Sequence, residues 1–228
     1  MTFIELCQRT ARECSVTGTG PSTAIAQTGE LGRIVNWVAE ANMEIERAHP
    51  DWMFMRLSTL FGTVAAQANY PFGTGAGTCG VTAATFGMWA RDSFRNYPTA
   101  SGNTAEIEMS YMEYDAWRAV YEFGATRYVQ TQPLVVSFFP ADQSPNVGPY
   151  PNGDYTVTGN YFRQPILLAA DADIPGLPPQ FHMMVVYKAM MYYGAYEGAP
   201  EVYDRGEMEF DKNMRRLDAL RLPEIRWG

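Results

Sequence analysis

The chain has few of the residue types from which catalytic and metal centres are built. Its 228 residues include two histidines, His49 and His182, and three cysteines, Cys7, Cys14 and Cys79. Neither histidine has the further ligands that a metal site needs. The cysteines form no CxxC pair, and Cys7 and Cys14 would lie about 10 Å apart along one helix, too far for a disulfide. We therefore expect reduced cysteines, no metal and no cofactor.

Charge and long apolar runs are also scarce. Charged residues make up 18% of the chain and the net charge is −8, which argues against nonspecific binding to DNA or to a membrane. No run approaches the ~18 apolar residues of a membrane span, and the N-terminus does not read as a signal peptide. We therefore expect synthesis in the cytoplasm and no membrane contact.

Aromatic residues are plentiful, at 14% of the chain. Tyrosine, tryptophan and methionine are enriched at protein interfaces, so partners are expected to cover much of the surface. The alternative is an ordinary monomer with a large core. A weak nucleic-acid contact also stays open, because arginines lie among the aromatic residues at Arg91, Arg95, Arg118 and Arg127.

Sequence motifs that resemble reactive sites are incomplete. The glycine run Gly73–Gly77 lacks the strand, helix and Lys-Ser/Thr pair of a phosphate loop. Asp171 and Asp173 lack the later oxygen ligands of a calcium loop. A hydrolase that uses Cys79 and a distant histidine is the remaining enzymatic alternative. We predict no catalytic, cofactor-binding or metal-binding residues.

Periodicity predicts helices at both ends of the chain and strands between them. Helices are expected over residues 2–14, from Leu31 to His49-Pro50, over 181–193 and over 200–220, and strands over 52–63, 67–72, 81–97, 105–109, 134–139 and 155–162. Residues 111–123 have helical spacing, and 140–153 are expected to be a loop. This order predicts an α+β fold in which N- and C-terminal helices form a bundle and the centre is a β-rich insertion.

The predicted domains follow from that order. Residues 1–56 and 165–221 would form the helical bundle, 57–164 the β-rich domain with one helix, and 222–228 an extended C-terminal arm. Apolar residues at 3.6-residue spacing predict the core of the bundle: Leu31, Ile34, Val35, Val38, Ile45, Phe181, Val185, Phe210 and Met214.

The last seven residues, LPEIRWG, carry three large apolar side chains beyond the final helix: Leu222, Ile225 and Trp227. A short extended segment cannot bury such side chains by itself. They either fold back on their own domain or insert into a groove of a partner, and we favour the partner because aromatic anchors beside arginine are typical of binding hot spots.

Two stretches of the sequence carry a resemblance. The first is TGPSTAIAQTGELGRIVNWVAEANMEIERAHPDWMFMR; the second is PNGDYTVTGNYFRQPILLAADADIPGLPPQFHMMVVYKAMMYYGAYEGAPEVYDRGEMEFDKNM. Both resemble the head-to-tail adaptor (connector) proteins of tailed bacteriophages. The resemblance implies a non-enzymatic virion protein of the phage neck, with a helical bundle and a β-rich part that faces the tail.

The resemblance also implies partners. It implies a ring, usually of twelve subunits, docked under the portal protein, extending the DNA channel and supporting a downstream neck or tail protein. Genomic DNA would pass without specific binding, which suits an acidic chain. The implied portal-binding arm comprises Leu217, Leu220, Arg221, Leu222, Pro223, Ile225, Arg226 and Trp227.

The resemblance makes loops Gly73–Gly80 and Asp142–Tyr150 available to the tail or to neighbouring subunits. A tail or baseplate structural protein is the alternative.

Overall fold

A computed structural model describes residues 1–123 and 129–221 of the chain. The chain divides into two compact units. One comprises Met1–Met55 and Pro165–Gly228, and the other comprises Arg56–Gln164. Helices from both ends of the chain flank a β-rich middle, which confirms the predicted α+β class.

The helices, in chain order, are α1 (Phe3–Glu13), α2 (Gly29–Arg47), α3 (Tyr114–Trp117), α4 (Met183–Glu197) and α5 (Pro200–Arg221). The strands are β1 (Arg56–Gly62), β2 (Phe86–Pro98), β3 (Ile107–Glu108), β4 (Ser110–Tyr111), β5 (Gln130–Thr131), β6 (Val135–Phe138), β7 (Pro145–Gly148), β8 (Tyr150–Pro151) and β9 (Tyr155–Arg163).

Local sequence signals explain where the helices of the first unit begin and end. A capping box starts α1: the Glu5 amide donates to Thr2 Oγ1 at 3.4 Å, and the Thr2 amide donates to Glu5 Oε2 at 2.8 Å. Gly198 ends α4 in the left-handed conformation, at φ 66°, which favours glycine because it has no Cβ.

The helix α4 lies at the centre of the first unit and packs against α1, α2 and α5. Two glycines let α4 and α5 approach closely. A Cβ at Gly206 would lie 2.8 Å from the Tyr187 carbonyl oxygen, and one at Gly194 would lie 2.7 Å from the Tyr203 amide nitrogen. Because neither position has room for a side chain, both glycines are required by the packing of this hairpin.

Most of the predicted bundle core is buried. The buried members are Ile34, Val35, Val38, Ile45, Phe181 and Val185. Leu31, Phe210 and Met214 are only partly buried. Leu31 lies in the first turn of α2, and the Phe210 ring lies 5.2 Å from Lys188 Nζ, so these positions form the rim of the core.

Two buried polar side chains of α2 hold the segment that returns from β9 to α4. Glu46 accepts hydrogen bonds from the backbone amides of Ile166, at 2.8 Å, and Gly176, at 3.1 Å. Asn42 Nδ2 donates to the Ile166 carbonyl at 2.8 Å. The return segment has no regular secondary structure before Pro179, so these bonds supply partners that a helix or sheet would otherwise provide.

The second unit is built on an antiparallel sheet with the strand order β1-β9-β2-β3. A smaller sheet has the order β4-β6-β7, in which β4 and β6 are parallel, and β5 pairs with β8. Aromatic rings fill the core between these strands. Trp89, for example, stacks on Phe138 with ring centroids 5.7 Å apart.

The structure corrects several expectations for the middle of the chain. The run expected as a strand from residue 52 begins with a 3₁₀ turn, Met53–Met55, before β1. Residues 67–72 make only an isolated bridge, Asn69 to Asn146. After one turn of α-helix in α3, Arg118–Glu122 is π-helical. The expected loop at 140–153 contains β7 and β8, because pairing with β6 overrides the weak strand preference of the sequence PNVG.

Candidate assembly surfaces

The three thiols are poor nucleophiles in this fold. All are buried and unpaired, and burial followed by nearby Asp171 raises the pKa of Cys7 to about 12. Burial also raises the pKa of Cys79, whose Sγ lies 3.8 Å from the Val81 carbonyl oxygen. Since the thiolate is the reactive form, the environment of Cys79 disfavours the hydrolase alternative.

The motifs that resembled ligand sites are used within the fold. The Gly73–Gly80 loop is closed by its own backbone, with the Gly73 amide donating to the Val81 carbonyl at 2.7 Å. Asp171 Oδ1 accepts from the Ala24 amide at 2.6 Å, and Asp173 Oδ2 accepts from the Ala169 and Ala170 amides, both at 2.7 Å. In residues 1–123 and 129–221, no three His, Cys, Asp or Glu side chains are placed to hold a metal ion.

His182 is a buried histidine with both ring nitrogens in contact with polar groups. Nε2 lies 2.9 Å from the Leu177 carbonyl oxygen, and Nδ1 lies 2.8 Å from the Met1 amine nitrogen. The pKa of His182 is lowered, mainly because burial penalises the charged ring. A neutral ring with its proton on Nε2 donates a hydrogen bond to the Leu177 carbonyl oxygen.

This lowered pKa predicts a pH dependence of stability. Below the ordinary histidine pKa of 6.5, the unfolded chain takes up a proton at this position that the folded chain resists. The free energy of unfolding therefore falls with acidification, by at most about 1.4 kcal/mol per pH unit for this proton. In urea titrations, the free energy of unfolding should fall less between pH 7 and pH 5 for the His182→Gln variant than for the parent. Equal falls would contradict the lowered pKa of His182 as the cause.

The second predicted contact loop, Asp142–Tyr150, is mostly internal. Pro145–Gly148 is β7, and all four of its residues are buried. The Asp142 carboxylate accepts from the Ser144 amide at 2.8 Å. Only Asp142 and Gln143, at the start of this stretch, are exposed, so the surface that it offers a partner is small.

The predicted arm residues fall into different environments. Leu217 is completely buried in α5, whereas Leu220, one turn later, is 61% exposed. Leu217 therefore differs from the predicted arm and anchors α5 to its own unit. Arg221 is the last residue of α5. Leu222, Pro223, Ile225, Arg226 and Trp227 lie outside the described residues.

The outward face of α5 carries a row of exposed side chains at four-residue spacing, here called the α5 row: Asp204, Met208, Lys212, Arg216 and Leu220. Met208 and Leu220 are 62% and 61% exposed. They are two separate apolar positions on an otherwise polar helix face. Sequence reasoning missed this row, although its spacing is visible in the printed sequence.

A groove of about 460 Å³ lies on the outward side of α2. This α2 groove is lined by Asn36, Ala39, Glu40, Met43, Glu44, Arg47, Leu167 and Tyr192. Leu167 is 64% exposed. Lys188 Nζ lies 2.8 Å from Glu44 Oε1, and the Tyr192 hydroxyl donates to Glu44 Oε2. Burial opposes ionisation of Glu44, but these hydrogen bonds outweigh it and lower its pKa.

The sequence model of the SU10 adaptor protein family matches residues 1–226. The chain therefore belongs to this family of phage head-to-tail adaptors. It is a structural protein of the bacteriophage virion.

Two further findings accompany the family match. No curated protein matches the chain. Within residues 1–123 and 129–221, none of the helices combines the length and the apolar character that crossing a bilayer requires.

Proposed function

We propose that this adaptor forms a ring that docks on the portal through its C-terminal segment, extends the DNA channel and supports the next neck or tail component. The proposal rests on how far the family match extends along the chain. The match runs through residue 226 and so includes most of the predicted arm, which follows directly on α5.

The end of α5 suits the base of such an arm. Leu217 is fully buried, so the helix is fixed to its unit close to residue 222. Leu220 is exposed one turn later, and Leu222, Ile225 and Trp227 follow in the sequence. An apolar segment that starts from a fixed helix loses less conformational freedom on binding than one on a long linker.

The acidic balance of the chain fits the proposed channel. With a net charge of −8, the chain repels the DNA backbone on average, and repulsion disfavours sticking. Genomic DNA would then pass through the ring without specific binding. A lumen lined by lysine and arginine in the assembled ring would contradict this part of the proposal.

Binding to the portal separates this proposal from the tail or baseplate alternative. Purified adaptor is mixed with the portal ring of its own phage, and the complex is isolated by sedimentation. Co-sedimentation with the portal supports the neck assignment. If the folded adaptor does not bind the portal but binds purified tail or baseplate complexes, the tail or baseplate alternative is correct.

A further inference from the structure

The α5 row and the α2 groove have matching spacing. Lys212 and Arg216 are one helical turn apart, and so are Glu40 and Glu44, which corresponds to about 6 Å along each helix axis. Residues at four-residue spacing form the ridges that interdigitate in the commonest class of helix packing. Two cations on one ridge can therefore face Glu40 and Glu44 at the same interval, with Arg47, the cation of the groove, about one turn past Glu44.

Exposed or partly exposed apolar side chains accompany the charges on both surfaces. Met208 and Leu220 project from the α5 row on either side of its two cations. The α2 groove offers Met43 and the exposed Leu167 beside its two carboxylates. An interface that combines exposed apolar side chains with opposite charges has the composition of a specific protein contact.

The row of one chain does not fill the groove of the same chain. Both α2 and α5 pack on α4, and the α5 row points outward, away from the buried face that contains Gly206 and Leu217. A second copy is therefore the occupant that the charges and spacing fit. Because the two surfaces differ, the contact is head to tail, and repeated head-to-tail contacts form a ring when the rotation between copies closes.

We infer that the ring forms when the α5 row of one copy seats in the α2 groove of the next. This inference rests on the proposed function and specifies the contact between subunits. The ion pairs that Lys212 and Glu44 already make do not prevent this contact. Lys212 Nζ lies 3.2 Å from Glu209 Oε2, and the Lys212 side chain is 60% exposed; such surface pairs exchange at little cost. The Glu44 side chain keeps 55% exposure beside Lys188.

Charge reversal tests the contact from each side. One variant carries Lys212→Glu and Arg216→Glu; another carries Asn36→Lys and Glu40→Lys, which leaves Glu44 with its partners. Native mass spectrometry counts the copies bound to a portal ring. Each variant should need at least about a tenfold higher concentration to complete the ring, because like charges then meet. All four substitutions in one chain should recover part of the lost assembly, because Glu40→Lys then faces the reversed row while Glu44 is unchanged. Glu207→Lys, an exposed change outside the row, is the control.

Complete rings at the parental concentration with either reversed surface would overturn the inference, as would a folded fourfold variant that assembles no better than the two reversed variants. If the parent does not bind the portal, the proposed function fails separately. Self-association of the same variants is then compared by sedimentation velocity, where unchanged association of both reversed variants overturns the inference.

Cross-linking provides a test that does not depend on charge. Chains with Met208→Cys are mixed with chains with Met43→Cys under oxidising conditions on the portal. A disulfide-linked dimer should form only in the mixture, since the three natural cysteines are buried. Absence of the dimer in complete rings would overturn the contact.

Discussion

Deletion of Leu222–Gly228 is expected to abolish binding of the adaptor to its portal ring. Truncating a single hot-spot anchor costs about 2 kcal/mol or more, and this segment contains three apolar candidates: Leu222, Ile225 and Trp227. The dissociation constant should therefore rise at least about a hundredfold. Biolayer interferometry on immobilised portal rings measures it.

The fold should survive this deletion, because Leu217 already fixes α5 to its unit. Thermal unfolding of the deletion variant should match that of the full chain. Glu224→Ala is the matched control, since it alters the same segment and keeps the apolar anchors, and it should bind like the parent. If the deletion variant binds the portal with unchanged affinity, residues 222–228 do not contribute to portal binding.

Replacing Glu46 with alanine is expected to give the largest loss of stability in the helical unit. Its buried carboxylate accepts from the amides of Ile166 and Gly176. Hydrogen bonds to charged groups contribute about 1.5–3 kcal/mol each, and removing the acceptor leaves two backbone donors unsatisfied. The free energy of unfolding should fall by about 3 kcal/mol or more.

Urea unfolding measures this loss, and hydrogen exchange of the Ile166 and Gly176 amides localises it. Glu46→Gln keeps one acceptor oxygen and should lose less. Glu40→Ala, an exposed change on the same helix, should stay within about 0.5 kcal/mol of the parent. A Glu46→Ala variant with parental stability and unchanged exchange at both amides would show that the return segment is held by other contacts.

The helices could be read from the sequence because their signals are local. Thr2 and Glu5 form a capping box, a motif of two residues three positions apart. Pro200 and Gly198 bound α5 and α4 as their backbone preferences require. The apolar period of α2 identified Ile34, Val38 and Ile45, which are buried. Caps and periodicity act over a few residues, so no tertiary information was needed.

The short strands depend on partners distant in the sequence. Residues 145–148, with proline, asparagine and glycine, have a weak strand signal, and pairing with β6 and with the segment around Asn69 makes them β7. Glu46 looks like an ordinary polar helix residue in the sequence, whereas Asn42 falls on the apolar face of α2 by its spacing. Their burial follows from the return segment, more than 100 residues later, whose backbone they bind.

The candidate contact surfaces also differ in how far the sequence alone predicts them. The chemistry of the arm, Leu222 to Trp227, is visible in its composition alone. The α5 row needs the structure, because the pattern of Met208 and Leu220 becomes meaningful only when α4 is known to cover the opposite side of the helix. The α2 groove includes Leu167 and Tyr192 from other segments, and no local pattern joins them to α2.

Cryo-electron microscopy of the adaptor mixed with its portal ring tests the central claim most directly. The account predicts a closed ring of adaptor density on the portal, with density for residues 222–228 in contact with the portal and α5 of each copy against α2 of the next. A folded adaptor that leaves the portal bare at saturating concentration would contradict the account.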